Sequence, residues 1–191
     1  MAKMYFKYGV MGSSKTAQAL MQKFNFEERG LNVWLIKPKV DDRDGQNIVK
    51  SRVGLSCGAY PIDKDSINSI KDLMPMNTDI IICDEAQFLT KYQIDELREI
   101  TRLFEIPVFC FGLRTDFTGQ LFEGSKRLFE VADTFEEIKA ICSCGNKATM
   151  NARIINGKVV TKGPKILIGG NDKYIGMCYH CWKKAIGREA L

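Results

Sequence analysis

The sequence predicts an α/β protein, a parallel sheet flanked by helices, followed by a small β-rich module held together by metal. Three observations carry this reading. Short apolar runs alternate with stretches of helical spacing over residues 1–140. A glycine-containing loop joins the first of those runs to the first helix. Two close cysteine pairs fall after residue 140, where the texture of the sequence changes, so the two parts are expected at 1–140 and 141–191.

The elements follow in order. Residues 4–10 and 32–37 read as strands, and residues 14–29 between them as a helix ending at Gly30. Asp79-Ile80-Ile81-Ile82-Cys83-Asp84 is a nearly continuous apolar run, the pattern of a strand covered on both faces of a parallel sheet. Residues 91–105 carry Ile94, Leu97, Ile100 and Phe104 at helical spacing and stop before Pro107. Residues 108–113 form another buried strand. Beyond Cys142 the chain breaks into short strand-like pieces at 149–155, 158–161 and 165–168 between glycine-rich turns, with no long helix.

Composition excludes several classes. Apolar residues make up 45% of the 191 and charged residues 27%, the mix of a soluble globular protein. No apolar run approaches the roughly 20 residues of a membrane span. The opening Met1-Ala2-Lys3-Met4-Tyr5-Phe6-Lys7 sets lysines inside its short apolar stretch, unlike a signal peptide, so no membrane and a cytoplasmic location are expected. A net charge of +5 suits an anionic ligand. Lys and Arg are spread without a basic block, which argues against nucleic acid as the main partner. Of seven cysteines, Cys57, Cys83 and Cys110 stand singly in segments that read as buried.

Gly9-Val10-Met11-Gly12-Ser13-Ser14-Lys15-Thr16 follows a strand and opens a helix, where backbone N–H groups and the helix dipole favour a phosphate. Lys15 would neutralise the β- and γ-phosphates and Thr16 would offer its hydroxyl to Mg²⁺. Ser14 stands where such loops place glycine; if that position needs a left-handed backbone, serine costs roughly 1–2 kcal/mol there. Asp84, at the end of an apolar strand, is placed to hold Mg²⁺. Glu85 beside it would orient an acceptor oxygen and take its proton. That acceptor is a nucleoside hydroxyl in a kinase and water in an ATPase, and spacing leaves both open.

Cys142-Ser143-Cys144 and Cys178-Tyr179-His180-Cys181 supply four thiolates, enough to close a tetrahedral structural zinc site. Cys-x-x-Cys is the common knuckle and Cys-x-Cys a tighter one. His180 lies between two of these ligands and could be a fourth or substitute ligand, although a lone histidine so placed is more often a surface or packing residue.

Together these pieces resemble the thymidine kinases of the P-loop, zinc-containing type II family, over residues 5–184. The likeness rests on the phosphate loop and on Lys37-Pro38 with Asp41-Asp42-Arg43. It continues through Ser51-Arg52, Asp84-Glu85-Ala86-Gln87-Phe88 and Gly112-Leu113-Arg114-Thr115-Asp116-Phe117. It ends with Gly124-Ser125 and Ile168-Gly169-Gly170-Asn171-Asp172-Lys173-Tyr174. The resemblance implies a RecA-like P-loop sheet and a zinc module carrying a lasso loop over residues 152–174. It implies transfer of the γ-phosphate of ATP to the 5′-hydroxyl of thymidine, or of deoxyuridine, giving dTMP and ADP in nucleotide salvage.

By the same resemblance, Glu85, Lys15 and Arg43 are the catalytic candidates. Gly9, Met11, Gly12, Ser13, Ser14, Lys15, Thr16, Asp41, Asp84 and Gln87 would hold nucleotide and Mg²⁺. Met11, Leu113, Phe117, Phe122 and Tyr174, with Leu167, Ile168, Gly169 and Gly170 of the lasso, would hold thymidine, Phe117 stacking on the base. Cys142, Cys144, Cys178 and Cys181 would hold zinc. A homotetramer and feedback by dTTP are further implications. Arg114 departs from the pattern, standing where some relatives have an acid. Two other readings share the same motifs: a zinc-containing P-loop ATPase acting on nucleic acid, and a zinc-ribbon interaction protein with a decayed phosphate loop.

Overall fold

The computed structural model describes residues 1–164 and 173–187. The chain runs β1 (Met4–Gly9), α1 (Lys15–Glu27), β2 (Val33–Pro38), a small hairpin of β3 (Ile48–Lys50) and β4 (Ser56–Gly58), then β5 (Tyr60–Ile62) and the short α2 (Ile70–Leu73). β6 (Ile80–Cys83) follows, with a 3₁₀ turn (Ala86–Phe88), α3 (Lys91–Leu103), β7 (Val108–Leu113), α4 (Glu123–Val131) and β8 (Thr134–Glu137). β9 (Met150–Ile155), β10 (Lys158–Val160), β11 (Tyr174–Met177) and α5 (Tyr179–Ala185) complete it.

The main sheet has the order β5-β2-β6-β7-β1-β8, and every pairing in it is parallel. Alternation along its strands sorts the core into two layers. Ile81 and Cys83 point into the cluster with Ile94, Leu97 and Ile100 of α3, whereas Ile80 and Ile82 join Ala19 and Leu20 of α1 on the opposite face. All four residues of β6 and all six of β7 are buried, as their unbroken apolar runs require. α3 begins on a capping box in which Thr90 and Gln93 satisfy each other's backbone N–H groups. Because the strands are parallel, the ends of β1, β6 and β7 open at the same edge, with β7 lying between the other two.

The C-terminal part is a separate antiparallel sheet, β10-β9-β11, packed by Met150, Ala152 and Trp182. It agrees with the expected β-rich module, and the strand expected at 165–168 lies outside the described residues.

The structure adds elements that the pattern did not announce. α4 has no side-chain cap, and its first turn contains Gly124, which hides the helical signal. That glycine is required by contact: a Cβ there would lie 2.6 Å from the Ala86 carbonyl oxygen and 2.7 Å from that of Leu89. β8 is a polar edge strand, exposed along most of its length, with no alternation to read. Cys83 and Cys110 are core residues as expected, while Cys57 is half-buried.

Candidate active site

The loop between β1 and α1 is closed by short contacts. The Ser13 N–H donates to the Val10 carbonyl at 3.2 Å, and a Cβ on Gly9 would lie 2.4 Å from Ser13 Oγ and 2.5 Å from the Ile138 carbonyl oxygen. Gly12 has φ 81°, and Ser14, at the helix N-cap, has φ 62° and ψ 19°. The left-handed backbone that makes serine unfavourable is therefore present at residue 14. Lys15 is buried and donates from Nζ to the Val10 carbonyl at 2.8 Å. Burial lowers its pKa to about 8, even though Glu85 and Asp84 nearby favour the charge.

Asp84 and Glu85 meet this loop from β6. The Thr16 hydroxyl donates to Asp84 Oδ2 at 2.9 Å, so the two ends anticipated from sequence do converge. Burial, with the charge of Glu85, pushes Asp84 up to about 7. Its Oδ1 is buried with no hydrogen-bond partner among the described residues. A buried carboxylate oxygen left unpaired beside a loop hydroxyl fits the oxygen-ligand preference of Mg²⁺.

Glu85 sits at φ 52°, a strained conformation for a residue with a side chain, at the entry to the 3₁₀ turn. Its Oε1 takes Arg43 and its Oε2 takes the Gln87 amide. Burial would raise this carboxyl, but Arg43, Lys15 and those hydrogen bonds outweigh it and hold the pKa below the usual value. Gln87 in turn accepts the Leu113 N–H at 2.9 Å, and a Cβ on Gly112 would lie 2.8 Å from Gln87 Oε1. Arg43 Nε donates to Asp41 at 2.6 Å. The buried Lys37 ties down the loop that carries both, donating to the Gly45 and Ile48 carbonyls at 3.1 and 2.9 Å.

A cavity of about 610 Å³ gathers these groups. Met11, Gly12, Ser13, Ser14, Lys15, Thr16, Arg43, Glu85 and Leu113 line it. So do Lys50 and Arg52, to which sequence reasoning gave no role. Their signal was the Ser51-Arg52 block, uninterpretable until the β3–β4 hairpin brings it over the loop; a Cβ on Gly12 would lie 3.6 Å from Arg52 Nη1.

Of the other expected thymidine contacts, Phe117 is 1% exposed with the Arg153 guanidinium carbon 3.6 Å from its ring centroid. Arg153 also donates to the Tyr174 hydroxyl at 2.7 and 3.0 Å. Phe122 packs edge-on against Phe88 at 5.6 Å. These three aromatics do not line the cavity, and Leu167, Ile168, Gly169 and Gly170 lie outside the described residues.

The four cysteines come together as their spacing suggested. The sulfurs of Cys142, Cys144, Cys178 and Cys181 lie within 4.8 Å of one another. A tetrahedral zinc with sulfur at about 2.3 Å sets sulfur–sulfur edges near 3.8 Å, so the cluster fits that ion. The Cys181 N–H donates to Cys178 Sγ at 3.4 Å, and the Asn146 amide to Cys144 Sγ at 3.4 Å. Backbone N–H groups of Cys144 and Cys178 lower the Cys142 thiol to about 6, favouring the thiolate a metal needs. His180 is exposed on α5 and outside the cluster.

The chain is similar to known proteins over nearly its whole length. The family model described as Thymidine kinase matches residues 2–182. A thymidine kinase of Vibrio cholerae serotype O1 is 42% identical over 194 residues, covering 98% of this chain and all of that protein. One from Pasteurella multocida is 43% identical over 190 residues, covering 97% and 99%. One from Novosphingobium aromaticivorans is 40% identical, covering 98% and 100%. The chain belongs to the thymidine kinase family.

Proposed function

We propose that the chain transfers the γ-phosphoryl group of ATP to the 5′-hydroxyl of thymidine, with Glu85 as general base. The observation that carries the reading is the meeting, in one cavity, of the Lys15–Thr16 end of the phosphate loop with Glu85 and Arg43. The phosphates would lie along the N–H groups at the start of α1, with Lys15, Arg52 and Arg43 as countercharges. Thr16 and Asp84 would hold Mg²⁺, which when bound neutralises charge on the phosphate oxygens.

Glu85 is kept ionised at neutral pH by its neighbours, but both its oxygens are engaged. Drawing Arg43 from Glu85 onto the transferring phosphoryl would free Oε1 and raise its basicity at the same moment. The 5′-hydroxyl proton then passes to Glu85, the new O–P bond forms at the 5′-oxygen, and the old bridging P–O bond breaks with its electron pair left on ADP. Phe117 would stack on thymine, with Met11 and Leu113 beside it. Arg153 covers one face of that ring and the ring is only 1% exposed, so a base would have to displace protein contacts to stack on it.

Inhibition by dTTP fits the same cluster of cations. A homotetramer is supported by family membership and by the apolar side chains α1 leaves outside, Met21 at 56% and Phe24 at 61% exposure. Among the described residues no helix is long and apolar enough to cross a membrane, and a cytoplasmic location accords with that. The segment from residue 141 would be the zinc-binding domain.

ADP release measured with thymidine, and separately with single-stranded DNA, tests the reading. Thymidine-dependent release is expected. Release stimulated by DNA and indifferent to thymidine would overturn it in favour of a nucleic-acid ATPase.

A further inference from the structure

The C-terminal module touches the phosphate loop at three points. Asn151 of β9, 3% exposed, accepts the Met11 backbone N–H at 2.8 Å. The same side chain donates from Nδ2 to the Thr115 carbonyl at 2.8 Å. Gly176 of β11 lies flush against the loop, since a Cβ there would stand 3.1 Å from Val10 Cγ2 and 3.4 Å from the Met11 carbonyl oxygen. Val10 itself packs in one apolar cluster with Cys142, Ala148 and Cys178.

The inner limb of the loop is held from within, by the Ser13 N–H and Lys15 Nζ on the Val10 carbonyl. The outer limb, residues 10–12, is held by the module. With the Met11 N–H engaged by Asn151 and the Ser13 N–H by the Val10 carbonyl, the N–H groups of Gly12, Ser14, Lys15 and Thr16 are the ones left to face an anion. The second bond of Asn151 fixes how far the loop stands from the segment that leads from Leu113 to Phe117.

We propose that the metal-binding module is the outer wall of the phosphate loop, and that Asn151 is a positioning residue that sets the Met11–Gly12 limb for nucleotide binding. A metal knuckle usually serves folding alone. Here its cysteines share a packing cluster with a loop residue, so the module also shapes the site. The inference rests on the phosphate-loop reading given above, and the two fail in different ways.

The test is ADP binding by calorimetry to the zinc-loaded full-length chain, with thermal melting of each variant. Asn151→Leu, which fills the same space without either bond, is expected to weaken ADP about tenfold, as a lost buried hydrogen bond does. Asn151→Asp can still accept the Met11 N–H but loses the donor to the Thr115 carbonyl, so its ADP affinity should fall between those of the parent and Asn151→Leu. Gly176→Ala should weaken ADP with Asn151 intact, because its methyl must displace Val10. Trp182→Phe, within the module's other cluster, should lower the melting temperature and leave ADP affinity unchanged.

If Lys15→Ala loses ADP while Asn151→Leu binds like the parent, Asn151 is not a positioning residue and the phosphate loop stands. If Lys15→Ala binds normally, the phosphate-loop reading itself falls. Should Asn151→Leu fail to fold, Gly176→Ala decides, and unchanged affinity there overturns the proposal. Equal weakening in Trp182→Phe would also overturn it, by showing that any loss of module stability suffices.

Discussion

The two ends of the proposed substrate site are built on opposite principles. At the phosphate end, charged side chains are buried and then tied to one another: Lys15 to its own loop, Asp84 to Thr16, Glu85 to Arg43 and Gln87. Two non-glycine residues there, Ser14 and Glu85, are held at positive φ. At the other end the expected base contacts are aromatic, and Phe117 and Tyr174 are packed around the Arg153 guanidinium instead of lining open space. The phosphate end is thus arranged before ligand arrives, with strain and desolvated charge as the cost. The proposed base end satisfies itself internally, so thymidine bound there would compete with contacts the protein already makes.

If that contrast is right, the largest effect belongs to the preset end. Glu85→Gln keeps the shape and the Gln87 contact but removes the base, and kcat should fall by at least about 10²-fold. ADP affinity, read by calorimetry, should move little because the phosphate loop is untouched. Near-normal turnover would remove Glu85 from the proton transfer. The next effect belongs to the other end. Phe117→Leu should raise the KM for thymidine roughly tenfold, within the ~1–3 kcal/mol of base–aromatic stacking, and leave the KM for ATP alone. A lower melting temperature with unchanged KM would make Phe117 core and nothing more.

A smaller effect comes from the charge buried at Asp84. Its folded pKa is raised from 3.8 to about 7, so the folded chain keeps a proton that the unfolded chain gives up. Stability therefore falls as pH rises across that window. Asp84→Asn has no such proton to lose, and its gain in melting temperature over the parent should be greater at pH 8 than at pH 4. Equal gains at both would place the protonation elsewhere in the cluster.

The same contrast decides what could be read from sequence. The phosphate loop was legible because its chemistry is local: eight consecutive residues make the turn, the helix N-terminus and the cation. Buried strands were legible from unbroken apolar runs such as Ile80–Cys83. The zinc cluster was legible because each half is a short spacing. What escaped depends on contacts between distant segments. Asn151 meets Met11 across 140 positions, and Arg43 meets Glu85 across 42. Arg153 reads in sequence as one more strand cation, yet in the fold it is buried between two aromatics. Gly124 carries no local sign of its packing role, because the backbone it makes room for, at Ala86 and Leu89, is remote in the chain.

The smallest effect tests whether strain at the phosphate end is dispensable. Ser14→Gly relieves a left-handed serine, a gain of roughly 1–2 kcal/mol, but glycine adds freedom to the unfolded chain, a loss of about 0.4–1 kcal/mol. The serine's own bonds, from its hydroxyl to the Ser13 carbonyl at 2.6 Å and from Gln18 at 3.1 Å, are at an exposed site and contribute little. The balance favours glycine by about 0.5–1 kcal/mol, or roughly 1–4 °C in melting temperature for a chain of this size. Ser14→Ala keeps the strain and should gain nothing. If glycine stabilises and ADP affinity holds, the serine is a tolerated departure, and preorganisation resides in Lys15, Asp84 and Glu85. If affinity falls as stability rises, the serine's rigidity is itself part of how the loop is set.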